Sequence, residues 1–236
     1  MITERRCRSS AFLFLFVAVP AWIASFLGIM DPGLYQDVVA AGGMPEFLVW
    51  GSMAQDMVSL LMSTFLFFLA LYLLRKSSFY AMVMAIGIIS YLFYAFGLYV
   101  IQGQYTSIYL VYLLIFGLSI YSMIYGLLSF QWHRAGETRL PARLQRGIAS
   151  FLILILVVLV PVWLIMIIPD IQRHDPAPTY AVFILDLAIV FPALLIIAIQ
   201  LWRGRGTGNI LGGIALFKVI TICLSVAFGE WYLAQM

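Results

Sequence analysis

Ionisable side chains are rare in the apolar stretches of this 236-residue chain, and they are the residues that could carry chemistry. Four of them occur there: Asp56, Asp186, Lys218 and Glu230. A charge at the centre of a bilayer costs about 2.5–3.5 kcal/mol on insertion scales, so such a residue usually faces the protein interior and finds a partner. Two carboxylates and an ammonium group in one interior would suit a polar or zwitterionic ligand.

The spacing of neighbouring polar residues places them in two stripes. Ser52, Asp56, Ser59 and Ser63 fall on one helical face, as do Lys218, Thr221 and Ser225. We expect the stripes to line one polar cavity that opens toward the outside. The candidate ligand-binding residues of this cavity are Asp56, Asp186, Lys218, Gln55, Ser59, Tyr91, Tyr94, Tyr112, Thr221 and Ser225.

Each candidate also has a plain structural interpretation. Asp186 and Lys218 could form an ion pair that only stabilises the bundle, and the deep tyrosines could be hydrogen-bonding contacts between helices. We assign Tyr99 and Tyr109 to an aromatic belt at the outer membrane surface and Glu230 to the solvated interface.

The elements that must position these residues are transmembrane helices. The chain is 64% hydrophobic and 10% charged, with a mean hydropathy of +1.06, whereas soluble domains carry about 25% charged residues. Because about 20 apolar residues cross a bilayer, we predict an all-α, polytopic membrane protein, with residues 1–236 forming a single bundle. The seven predicted spans cover residues 10–30, 47–74, 78–101, 107–131, 147–168, 179–202 and 210–233.

The basic residues orient this bundle. Eleven lie at the N-terminus or in the loops after the second, fourth and sixth spans: Arg5, Arg6, Arg8, Arg75, Lys76, Arg134, Arg139, Arg143, Arg146, Arg203 and Arg205. The loops of the other side contain only Arg173. The positive-inside rule therefore predicts a cytoplasmic N-terminus and an external C-terminus. The first loop would then lie outside, where residues 35–41 form either a lid over the cavity or a plain connector anchored by Trp50.

Several segments, taken in order, resemble a group of bacterial multi-pass, seven-helix integral membrane proteins of unassigned function. They are AQDMVSLL (54–61), RKSS (75–78), YLFYAFGLYV (91–100), YLVYLLIFGLSIYSM (109–123), FILDLAIVFPALLIIAIQLW (183–202) and GGIALFK (212–218). The resemblance implies a bacterial inner-membrane setting and supplies no activity.

The hypothesis that these features favour is a membrane protein that binds, transports or senses a small molecule or a lipid head group. The alternative is a structural or interaction protein whose buried Asp and Lys residues only stabilise the bundle. Minor alternatives are a retinal protein, suggested by a lysine in the last span, and an intramembrane enzyme.

Two histidines and two cysteines offer little for metal or nucleophilic chemistry. We predict no catalytic residue, cofactor, metal site or nucleic-acid partner, and we leave the oligomeric state open. A basic start followed by an apolar run also fits a signal peptide. Because that run continues through Trp22 to Met30, an uncleaved anchor is favoured.

Overall fold

The structure is a computed structural model that describes residues 1–31, 33–138 and 140–234. Arg139, one of the arginines used to orient the chain, lies outside the described residues. The chain is 84% helical, and the described residues form no strand apart from an isolated bridge between Ile2 and Phe130. The predicted all-α class is confirmed.

The helices, numbered in chain order, have the following bounds: α1 Glu4–Met30, α2 Gly33–Ala40, α3 Phe47–Arg75, α4 Phe79–Ile101, α5 Tyr109–Leu128, α6 Ala142–Arg173, α7 Tyr180–Leu185, α8 Phe191–Trp202 and α9 Gly206–Leu233. A 3₁₀ segment covers Trp132–Glu137, and a π-helical turn, Asp186–Val190, joins α7 to α8. Counting α7 to α8 as one, seven helices of the described chain are long and apolar enough to cross a membrane, which confirms the predicted number.

The first and fifth spans exceed their predicted bounds most, because a helix does not stop where the apolar residues stop. α1 begins at Glu4, and Arg8 donates to the Glu4 carboxylate at 2.8 Å one turn away. α6 extends to Arg173, whose guanidinium donates to Asp170 at 2.7 Å. In both helices the polar end continues the backbone hydrogen bonding, and its charges pair along the helix surface.

The chain divides into two compact units. The N-terminal unit comprises Ile2–Phe130 and Leu216–Met236, and therefore contains α1 to α5 and the second half of α9. The central unit comprises Met1 and Gln131–Ala215, with α6, α7, α8 and the first half of α9. That residues 1–236 form a single helical bundle stays a prediction.

Small residues hold α1 close to its neighbours in the N-terminal unit. The buried positions of α1 recur every three or four residues and include Ala11, Ala18, Ala21, Ser25 and Gly28. The buried face of α3 has the same spacing, from Ser52 and Asp56 to Leu66, Ala70 and Leu73. Small side chains let helix backbones approach closely in a membrane, where van der Waals packing drives association.

The π-helical turn of the central unit lies directly before Pro192. Phe191 donates its N–H to the carbonyl of Asp186, five residues back, in place of the usual four. Proline cannot donate a backbone hydrogen bond, so the helix is locally rearranged around it. The rearrangement places Asp186 at the first position of the turn.

Candidate functional site

Asp56 is the most enclosed ionisable group of the predicted site. Its side chain is 1% exposed and lies on α3, about two and a half turns from the beginning of that helix. Tyr35 donates its hydroxyl proton to one carboxyl oxygen of Asp56, and the hydroxyl of Tyr99 lies 3.0 Å from the other. Each carboxyl oxygen therefore has one phenolic partner.

The hydroxyl of Tyr99 bridges the carboxyl group and the backbone. It lies 2.9 Å from the carbonyl oxygen of Ser52 as well as 3.0 Å from Asp56. A phenol has one proton, so Tyr99 donates either to an ionised Asp56 or to Ser52 while a neutral Asp56 donates to Tyr99. The same atoms thus satisfy both protonation states of the carboxyl group.

The short helix α2 positions Tyr35 beside this carboxyl group. Leu34, Tyr35 and Val38 are buried on α2 and pack with Met44, Val49 and Met53. Because three apolar side chains of one helix are buried, α2 belongs to the packed interior of the N-terminal unit. It lies at the outer end, by which we mean the end where α1 and α4 stop and α3 and α5 begin. The charge pattern predicts that this end faces outside.

Gly28 on α1 makes room for the carboxyl group. A Cβ atom at this position would overlap the Asp56 carboxylate and would lie 2.9 Å from the hydroxyl oxygen of Tyr35. Only glycine therefore fits beside the contact between α2 and α3. Ser25 lies one turn before Gly28 on the same face of α1, and its buried hydroxyl has no hydrogen-bond partner among the described residues.

Tyr112 completes an aromatic wall around the carboxyl group. The ring centroids of Tyr99 and Tyr112 are 5.0 Å apart, and those of Tyr35 and Tyr99 are 6.3 Å apart. The hydroxyl of Tyr112 is buried close to those of Thr106 and Tyr35, but within the described chain neither it nor the Thr106 hydroxyl has a partner at hydrogen-bonding geometry. Buried polar groups without partners are rare and each needs an explanation.

Three further candidates form hydrogen bonds between α3 and α4. The hydroxyls of Ser59 and Tyr91 lie 3.1 Å apart, and Tyr91 also lies 3.4 Å from the carbonyl oxygen of Gln55. The side-chain amide of Gln55 donates to the carbonyl of Ala95 at 3.0 Å. These contacts match the structural interpretation of the deep tyrosines as hydrogen-bonding contacts between helices.

Lys218 lies on the part of α9 that belongs to the N-terminal unit. Its ammonium nitrogen is 5.1 Å from the centroid of the Tyr94 ring, within the range of a cation–π interaction. Thr221 is buried and donates to the carbonyls of Phe217 and Lys218, so its hydroxyl is satisfied within its own helix. Ser225 is close to the hydroxyl of Tyr91.

Asp186 has a partner that the sequence analysis missed. The indole N–H of Trp163 donates to the Asp186 carboxylate at 2.8 Å within the central unit, and the Trp163 ring meets Phe183 edge to face at 5.6 Å. The available signal was a tryptophan in the middle of an apolar span, since a buried indole N–H needs an acceptor.

The assignment of Tyr99 to an outer aromatic belt is wrong, because Tyr99 is 2% exposed and contacts Asp56. Tyr35 and Gly28 were also missed as site residues. The spacing of apolar residues on α2, in the first loop, could have indicated that Tyr35 is buried. No feature of the sequence distinguished Gly28 from the other glycines. Glu230 is exposed, and its place at the solvated interface stays a prediction.

Two cavities of the described chain lie away from these candidates. A cavity of about 300 Å³ in the N-terminal unit has an almost wholly apolar lining: Ala18, Val19, Trp22, Ile23, Thr64, Phe67 and Phe68. One of about 430 Å³ in the central unit lies near Asp170, His174 and Tyr180. Within the described residues, no three His, Cys, Asp or Glu side chains form a group that could hold a metal ion.

One charged pair outside the membrane spans has pKa values that differ from the ordinary ones. Arg134 donates two hydrogen bonds of 2.8 Å to Glu137 in the 3₁₀ segment. These bonds lower the pKa of Glu137 from its ordinary value and raise that of Arg134. Both side chains are about half exposed, so the pair is screened by solvent.

Comparison of the chain with known protein families, curated proteins and solved structures finds no match. The seven apolar helices decide the class without a relative. This is an integral, multi-pass membrane protein. Its function has to be argued from the side chains described above.

Proposed function

We propose that this membrane protein binds a small polar molecule or a polar head group at the outer end of its N-terminal unit. The site is the carboxyl group of Asp56 with the tyrosines around it. This proposal keeps the predicted ligand-binding role but centres it on one carboxylate. Transport or sensing would follow from such binding, and we propose a bacterial inner membrane as the setting.

The observation that supports the proposal is the combination of a buried acid and hydroxyls without partners. Asp56 and Tyr112 are 1% and 0% exposed, and the Tyr112 hydroxyl has no hydrogen-bond partner in the described chain. Leaving a buried polar group unsatisfied costs about 1–3 kcal/mol. A site that supplies hydrogen-bonding groups and lacks the matching partner is suited to a polar ligand.

A second candidate function, a structural or interaction protein, is favoured by the contacts of the other candidates. Asp186 is held by Trp163, Lys218 lies over Tyr94, and Thr221 bonds to its own helix. Under this alternative the polar residues stabilise the fold and the protein works through partner proteins.

The test is ligand-dependent stabilisation of the purified protein. Thermal unfolding in detergent would be followed with a panel of small polyols, amines, zwitterions and short-chain phospholipids. The comparison is between the native protein, Asp56→Asn and Asp37→Asn; Asp37 is exposed on the same short helix, so its variant is a matched control.

A ligand that stabilises the native protein and the Asp37 control but not the Asp56 variant supports the proposal. Binding of a ligand at one hundred times its Kd stabilises a protein by about 2.7 kcal/mol, which such a measurement resolves. If no compound gives stabilisation that depends on Asp56, the binding proposal is rejected and the structural alternative remains.

A further inference from the structure

We propose that the Asp56 site binds a small monovalent cation, either an alkali ion or an ammonium group, and that Tyr35 on α2 closes it. This inference rests on the proposed binding function and names the chemical class of the ligand. The groups that would face the cation are Asp56, Tyr99, Tyr112 and Thr106.

The charge of the site favours a cation. No cationic side chain contacts Asp56 in the described part of the chain; its partners are the hydroxyls of Tyr35 and Tyr99. A carboxyl group in an apolar interior either keeps a proton or needs a positive charge to compensate its ionised form. A bound cation would supply that charge where the protein supplies none.

The surrounding atoms are ligands of the right type. The carboxylate, the phenolic and threonine hydroxyls and the Ser52 carbonyl are all oxygen atoms, which hard cations prefer. The rings of Tyr99 and Tyr112, 5.0 Å apart, and that of Tyr35 add electron-rich faces that attract an ammonium group.

The buried oxygens without partners are the independent sign of a ligand. Tyr112 and Thr106 are 0% and 6% exposed, and although their hydroxyls lie near each other, neither has a partner at hydrogen-bonding geometry among the described residues. The side-chain carbonyl oxygen of Gln104, in the same connection between α4 and α5, also lacks a donor there. A lone carbonyl acceptor needs a hydrogen-bond donor or a cation, so it favours a cation over an anion that has no proton to donate.

The packing around the carboxyl group limits the size of the ligand. A methyl group on Gly28 would already overlap Asp56, and Tyr35 and Tyr112 are fully buried beside it. While α2 is in place, these packed side chains exclude a ligand much larger than a single small ion. Alkali ions and ammonium satisfy this limit, whereas a sugar or a whole head group would bind only with α2 displaced.

Access then depends on α2. This helix is eight residues long, and the loop after it contains Gly42 with a φ of +75°, a backbone conformation that other residues rarely adopt. Displacing α2 removes the Tyr35 hydroxyl from the carboxylate and opens the path from the outer end. An entering cation would therefore take the place of the Tyr35 hydroxyl at the Asp56 carboxylate.

The experiment measures thermal unfolding in sodium, potassium, ammonium and methylammonium chlorides, with N-methylglucamine chloride as the bulky reference at constant ionic strength. The native protein and the Asp37→Asn control should show a saturable rise of about 5 °C over the reference with at least one small cation. Asp56→Asn should lose this rise. Preference for sodium or potassium over both nitrogen cations assigns an alkali ion, and the reverse assigns an ammonium group.

Each other result overturns the inference. An equal rise in Asp56→Asn places the ion elsewhere, and no rise in the native protein excludes a small cation. If a neutral polyol or a zwitterion gives the stabilisation that depends on Asp56, the binding function stands and the cation inference fails. If nothing does, both fail.

A second pair of variants keeps the test decisive if Asp56→Asn does not fold. Thr106→Val and Tyr112→Phe each remove one oxygen from the proposed cation shell and leave the carboxylate in place. Each should raise the half-saturating cation concentration about tenfold, the loss of one good polar contact. Unchanged concentrations in both variants would contradict the proposed shell.

Discussion

Replacing Gly28 by alanine tests the packed contact on which the site depends. The added methyl group would overlap the Asp56 carboxylate and lie 2.9 Å from the Tyr35 hydroxyl oxygen. The carboxyl group is buried and held from two sides, so it cannot move away without breaking its bond to Tyr35. We expect the variant to be destabilised and its α2 helix to be loosened.

The expected size follows from three contributions. Overpacking a tight interior costs about 1–3 kcal/mol, and a buried polar group that loses its partner costs about 1–3 kcal/mol. Alanine regains up to about 1 kcal/mol of helix propensity. The net loss is about 1–5 kcal/mol, or roughly 3–15 °C in melting temperature for a chain of this length.

The assay is thermal unfolding of the purified protein in one detergent, read by tryptophan fluorescence. The matched control is Gly117→Ala on α5, where an added Cβ would meet nothing within 4 Å. That control should keep or slightly raise the melting temperature. Gly28→Ala in an Asp56→Ala background supplies the second comparison, because the atoms that the methyl group overlaps are then absent.

The double variant decides the cause. If the carboxylate is the obstacle, Gly28→Ala should cost at least 1 kcal/mol less in the Asp56→Ala background, an interaction energy typical of residues in contact. An equal cost in both backgrounds, or the same loss in the Gly117 control, would refute the close approach of α1 to Asp56.

Three other contacts give predictions of their own. Trp163→Phe removes the donor to Asp186 and should cost about 0.6 kcal/mol and no more than about 1.7 kcal/mol in the same thermal assay, the average and the maximum for hydrogen bonds between membrane helices. Lys218→Met should lose about 0.5–2 kcal/mol in thermal unfolding, and the loss should shrink in a Tyr94→Leu background, because the cation–π contact is then already absent. The pKa of Glu137 is lowered, so its contribution to stability is present above the ordinary glutamate pKa and is lost as pH falls through the lowered value. Because that pair is screened by solvent, Glu137→Gln should leave the melting temperature against pH nearly unchanged.

Exposed residues of the same types serve as controls. Trp202→Phe and Lys76→Met alter exposed side chains and should have little effect on unfolding. A Trp163 variant as stable as the Trp202 control would argue against the indole hydrogen bond. If Lys218→Met loses the same stability with Tyr94 and with Leu at position 94, the ring contact is not the cause. If Glu137→Gln clearly changes the melting temperature at acid pH, solvent does not screen the pair of Arg134 and Glu137 as its exposure implies.

The sequence predicted the helices well because the bilayer imposes a simple length rule. About 20 apolar residues are needed to cross it, and every span of the chain satisfies that requirement. The stripe of Ser52, Asp56, Ser59 and Ser63 was also predicted, since a period of about 3.6 residues defines a helical face, and all four side chains are buried. The positive-inside orientation stays a prediction.

The partners of the polar residues could not be predicted in the same way. Asp56 meets Tyr35, which precedes it by 21 residues, and Tyr99, which follows it by 43. The periodicity of one helix shows which of its residues share a face. It does not show which residue of a neighbouring helix lies beside each of them. Trp163 and Asp186 illustrate the same limit in the central unit.

By itself, then, the sequence determined the class of the protein, the number of spans and the face of α3 that turns inward. These properties depend on composition and on local helical geometry, which each segment carries alone. Only the tertiary structure decided that Tyr35 on the loop-one helix covers Asp56 and that Gly28 leaves room for it. That arrangement depends on the packing of α1, α2 and α3 against one another, because a buried carboxyl group takes its hydrogen bonds from whichever side chains the fold brings to it.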